Sequence, residues 1–133
     1  MAERPPRAIR FIRAEVQSPA PDRCRAVVQI EQPEVGLFTG TADGGPADTD
    51  ALRAVARATA DAVTAALGSS VTIRVRGVQA VEAFAQTVVI VSVAGSREGK
   101  PRGLLGICEG GNDLRRAAAL GVLNATNRFI GSG

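Results

Sequence analysis

The chain has 133 residues, 45% apolar and 22% charged, with a formal net charge of +3, enough for one domain with its own core. It contains no His, Trp or Tyr and only two Cys. Ser-His and Cys-His catalysis and His-ligated metals are therefore excluded, two distant thiols cannot hold a structural zinc, and no metal or cofactor is implied.

The charge is uneven. Arg4, Arg7, Arg10, Arg13, Arg23 and Arg25 face only Glu3, Glu15 and Asp22 in the first 25 residues, and the remainder is neutral. A nucleic-acid surface wants a basic face with stacking aromatics. Here the aromatics are four Phe that read as core, so nucleic-acid binding is disfavoured. No run of about 18 apolar residues is present, so no membrane span is expected. Residues 1–7 lack the apolar stretch of a signal peptide. Cys24 and Cys108 read as reduced, buried thiols in a cytoplasmic protein.

Residues 1–7 form a Pro/Arg arm, expected to be mobile. A first strand over 8–17 leads into the turn-rich Ser18-Pro19-Ala20-Pro21-Asp22. In a second strand over 24–32, Cys24, Ala26, Val28 and Ile30 alternate with Arg25, Val27, Gln29 and Glu31, the pattern of a half-buried strand. Pro33 stops it, a short hairpin follows, and a third strand covers 36–42. Helix one starts at Thr49 or Asp50, either of which can cap it. It carries an apolar stripe of Leu52, Val55, Thr59, Val63, Ala66 and Leu67, and Gly68 ends it.

The order then recurs. Val71, Ile73 and Val75 point inward from a fourth strand in which Gly77 marks a bulge. A fifth strand spans 85–94 and is apolar on both faces at Val88-Val89-Ile90-Val91, a central strand or an interface. A polar hairpin loop is expected over 95–101 and a last strand over 103–108. Helix two covers 113–129, capped by Asn112 or Asp113 and ended by Gly131. It is apolar over more than half its circumference, with small residues at Ala118, Gly121 and Ala125 beside Val122. Such a helix needs cover on two sides. The sheet could supply all of it, but the reading favours a partner subunit, with Val88, Ile90, Ala118, Gly121, Val122 and Ala125 at the interface.

The two halves, 8–68 and 71–131, read as one duplicated unit. Phe38-Thr39-Gly40-Thr41-Ala42-Asp43-Gly44-Gly45 lies over Leu104-Leu105-Gly106-Ile107-Cys108-Glu109-Gly110-Gly111, with three identical glycines and an acid on an acid. Ala26-Val27-Val28-Gln29-Ile30 and the helices align at a shift of 63 residues. The expected fold is α+β: two strand-strand-strand-helix repeats, helices packed on antiparallel sheet. A unit of this kind shares a sheet or a core with its copy.

The Gly40-to-Asp48 segment, with the helix after it, resembles the Gly-rich loop-to-helix entry of the C-terminal regulatory domain of 2-isopropylmalate synthase and citramalate synthase. The run from Ala118 to Ile130 is similar to that domain's closing helix. The segment 74–78 has no Tyr where that family has Asp-Tyr, and Gly106-Ile107-Cys108-Glu109 replaces its Gly-Val-Ser. The resemblance implies a non-catalytic homodimer that binds a branched-chain amino acid at the subunit junction and regulates a separate catalytic protein.

The residues themselves allow such a ligand. Glycine pairs let backbone N–H groups approach an anion, and the helix N-termini after them favour one. Asp43, Gly44, Gly45 and Asp48 from one loop, and Glu109, Gly110, Gly111 and Asp113 from the other, are the candidate binding residues for an amino acid or 2-keto acid. The plain alternative is that the glycines make turns and the acids stabilise helix dipoles. An assembly module without a ligand, and an enzyme using Cys108 or a carboxylate pair, are the rival readings.

Overall fold

The computed structural model describes residues 8–68 and 71–131, so the N-terminal arm lies outside the described residues. The elements run β1 (Arg10–Ala20), β2 (Arg23–Gln32), β3 (Gly36–Gly44), α1 (Asp48–Leu67), β4 (Val71–Ala83), β5 (Gln86–Arg97), β6 (Lys100–Glu109) and α2 (Leu114–Gly131). The fold is α+β. Strands β1-β2-β3 and β4-β5-β6 make two separate antiparallel sheets, each followed by a helix that packs on it. The copies share no sheet. Their common core is built by α1 and α2, which touch each other.

The strand patterns are realised residue by residue. Cys24, Ala26, Val28 and Ile30 are buried beneath α1, and Val89, Val91 and Val93 beneath α2. The register of β4 on β5 shifts between Val75 and Gly77, the bulge that Gly77 marks. Other boundaries differ from expectation. β1 continues through Ser18 and Pro19 to Ala20, with an irregular register, because an edge strand tolerates a proline. The segment 95–101 is not a loop. β5 runs to Arg97 and β6 starts at Lys100, joined by Glu98 (φ 54) and Gly99 (φ 79). Two left-handed residues make the tight turn whose twist suits a hairpin, so most of the segment extends the β5–β6 ladder instead.

The same close contact fixes the helix on the sheet in both copies. A Cβ built at Gly40 would strike the Ala58 carbonyl and lie 2.7 Å from the Ala62 nitrogen. A Cβ built at Gly106 would strike the carbonyl of Gly121 and lie 3.3 Å from Ala125 Cβ. Gly121 in turn leaves room for Val91, whose Cγ2 would be 2.8 Å from a Cβ there. This corrects the expectation for helix two. Ala118, Gly121, Val122 and Ala125 are buried within the chain, because glycines on both surfaces let α2 settle onto its own sheet while α1 lies beside it. They hold no surface for a partner.

Each helix also grips the first strand of the other copy. Thr64 Oγ1 accepts the Ile73 N–H at 3.1 Å and donates to the Ile73 carbonyl at 3.3 Å. Asn127 Oδ1 accepts the Ile9 N–H at 2.9 Å, and Asn127 Nδ2 donates to the Ile9 carbonyl at 3.2 Å. Thr64 and Asn127 are related by the shift of 63. The repeat therefore closes on itself: α1 holds β4, and α2 holds the chain entering β1.

Candidate functional site

The helix entries show what the acid and glycine residues do locally. Helix α1 begins at Asp48, one residue before the expected caps. Ala47 occupies the cap position and has no polar side chain, so the Asp50 carboxylate reaches back and accepts the Ala47 N–H at 3.1 Å. Gly45 allows this, since a Cβ there would lie 2.6 Å from Asp50 Oδ2. At α2 the cap is Asp113, whose Oδ1 accepts the Arg116 N–H at 3.0 Å.

The two acid-Gly-Gly runs are divided by the alternation of their strands. Asp43 is paired with Arg25 in the β2–β3 ladder, and its carboxylate takes the Arg25 Nε–H at 2.9 Å. That hydrogen bond holds the Asp43 carboxyl below its ordinary range, with the nearby arginine charges adding. Glu109 sits opposite Val88 on the outer face of β6. Both acids thus stand on the sheet faces away from the helices. Gly44 is closely packed: a Cβ there would lie 3.0 Å from the Asp50 carbonyl and 3.2 Å from Cys24 Sγ. Gly110 donates its N–H to the Thr87 carbonyl at 2.8 Å and is covered by Leu114. Gly111 takes φ 55 in the turn. Four of the eight expected ligand residues, Gly44, Gly45, Gly110 and Gly111, thus serve turns and packing.

Asp48 and Asp113 do meet. The entries of α1 and α2 open on one cleft of about 340 Å³, lined by Asp48 and Leu52 from the first and Asn112, Asp113, Leu114 and Arg115 from the second. The cleft offers two carboxylates, one guanidinium, one amide and two leucines. A larger groove of about 470 Å³ runs between α1 and β4, past Arg57, Asp61, Thr64 and Arg74, and takes nothing from either Gly-Gly loop. Arg115, Leu52 and Leu114 were not foreseen as lining. Their positions in the first turns are plain in the sequence, but only the packing of one helix on the other turns them toward a common space.

Cys108 is half-buried, and its thiol donates to the Glu109 carbonyl at 3.4 Å. Burial pushes the thiol above its ordinary pKa; Arg116 opposes that and Glu109 adds to it. None of the described helices is long and apolar enough to cross a membrane. No protein-family model matches the chain, and no curated protein is similar to it.

Proposed function

We propose that the chain is a non-catalytic, homodimeric regulatory domain that takes a small carboxylate or amino acid in the cleft between the two helix entries, near the subunit junction. The observation that carries this is the convergence of Asp48, Asp113 and Arg115 on one cleft floored by Leu52 and Leu114. An amino-acid zwitterion needs a cation for its carboxylate, acids for its ammonium group and an apolar wall for its side chain. Arg115 supplies the first, Asp48 and Asp113 the second, and the leucines the third. Burial raises the Cys108 pKa above its ordinary value, which makes the thiol a poorer nucleophile and favours a binding reading over a catalytic one. Regulation of a separate catalytic protein is the partnership that the resemblance implies.

The test is a thermal-shift and calorimetric titration against amino acids and 2-keto acids. Saturable stabilisation of several degrees is expected at about a hundredfold excess over Kd. The Arg115→Ala chain should lose the response. The Asp113→Asn chain separates binding from capping, because Asn caps a helix about as well as Asp: it should keep its melting temperature and lose the response to amino acids. A chain that no such compound stabilises would sink the ligand reading and leave the second one, an assembly module. The observation favouring that module is the apolar outer face of the second sheet, with Leu105 55% and Ile107 54% exposed.

A further inference from the structure

We propose that the outer face of the β4-β5-β6 sheet is the surface on which a second copy of this chain docks, face to face with strands reversed. In that arrangement Arg76 of each copy meets the partner's Glu109. The proposal rests on the homodimer of the preceding section and not on its ligand.

The duplication supplies an internal control. Corresponding outer faces of the two sheets ought to be alike, and they are not. The face of β1-β2-β3 carries one exposed leucine, Leu37 opposite Glu31, among charges balanced within the chain by Arg10–Glu31 at 3.2 Å, Arg13–Glu15 at 3.2 Å and Arg25–Asp43 at 2.9 Å. The face of β4-β5-β6 carries Val81 opposite Val88, Ile90 opposite Ile107, and Leu105 opposite Ser92. A sheet face left to solvent alternates to polar residues. This one holds only the uncharged Gln79, opposite Ile90, and Ser92 in its middle, and its charged groups stand at its two ends.

Those ends are of opposite charge. At one end the Arg76 guanidinium reaches over to β6, where Nη1 lies 3.9 Å from the position a Cβ of Gly103 would take. At the other end of the same strand stands Glu109. Neither Arg76 nor Glu109 makes an ion pair among the described residues. Midway between positions 103 and 109 on β6 is Gly106, paired with Val91 at the middle of β5. A two-fold axis lying across the strands at this point reverses each strand over its own copy. It sets Leu105 over the partner's Ile107, and Arg76, held above Gly103, over the partner's Glu109. Both ion pairs form at once, around an apolar centre, as an isologous contact requires. Packed sheets keep their strand directions within about 30° of each other, and reversed strands meet that condition. A parallel stacking would set Arg76 on Arg76.

The experiment is light scattering and sedimentation of the full chain across a concentration series, with Arg76→Glu and Glu109→Arg variants. Each single variant faces like charge at both ends of the contact, and its dimer should dissociate about tenfold or more readily than the parent. An equimolar mixture of the two single variants should restore a dimer, because each end then pairs opposite charges. The double variant should also recover the parent's affinity. Ile107→Asp, at an exposed position, should give a folded monomer by circular dichroism. A dimer that neither the swaps nor Ile107→Asp disturb overturns this surface while leaving the homodimer standing. A parent chain that is monomeric at every concentration overturns both, whatever the amino-acid titration returns.

Discussion

Single side chains show where the two copies have parted. Thr126 on α2 is fully buried, and its hydroxyl has no hydrogen-bond partner among the described residues. At the matching position of α1, 63 residues earlier, stands Val63, also fully buried. An orphaned buried hydroxyl costs about 1–3 kcal/mol, and an apolar group of the same shape avoids that cost. Thr126→Val should therefore raise stability by about 1 kcal/mol, read as a higher midpoint in urea at an unchanged slope. Asp43 gives a pH effect of opposite character. Its folded pKa is lowered, first by the Arg25 hydrogen bond. The stability from this pair is thus present above the unfolded value of about 3.9 and is lost as pH falls through the folded one. The pair is exposed, so the effect is small and salt-sensitive. The stability difference between the parent and Asp43→Asn should close as pH drops below about 4, and should shrink in high salt at neutral pH.

Among the elements, the helices do the joining. Each covers its own sheet through a glycine contact and holds the neighbouring copy through one polar side chain. Asn127 satisfies both backbone groups of Ile9, a residue only 3% exposed. Asn127→Ala leaves both unpaired and should cost about 2–3 kcal/mol. Hydrogen exchange at the Ile9 amide should accelerate well beyond what the global loss explains, since the chain entering β1 is then free to open locally. The hairpins show how far local signals reach. Alternation placed every buried residue of β2 on its correct face, and Gly77 marked its bulge. The β4–β5 turn carried no such mark. Phe84 (φ 53) and Ala85 (φ 61) occupy left-handed positions that glycine or asparagine normally take, and Phe84 is 97% exposed. Nothing in the composition of that segment announces a tight turn.

At the scale of the whole molecule, the two units close head to tail into one body, and the acids of the two Gly-Gly loops are sorted by it. Asp43 and Glu109 fall on outer sheet faces, Asp50 and Asp113 cap helices, and Asp48 joins Asp113 at the shared cleft. Closure covers the apolar side of α2 and leaves Leu105 and Ile107 exposed on the outer face of the second sheet.

The amino-acid sequence by itself determined the periods. Apolar alternation and helical stripes set six strands, two helices and the buried face of β2, and three repeated glycines marked the duplication. These are local properties, in which a residue's role depends on neighbours one to four positions away. Only the tertiary structure decided that the sheets stay apart, that α2 is covered from within the chain, and that Arg115 and Leu52 face one cleft. Those outcomes depend on how close two surfaces approach. That distance is set jointly by residues such as Gly106 and Gly121, fifteen positions apart in the chain and in contact only once it has folded.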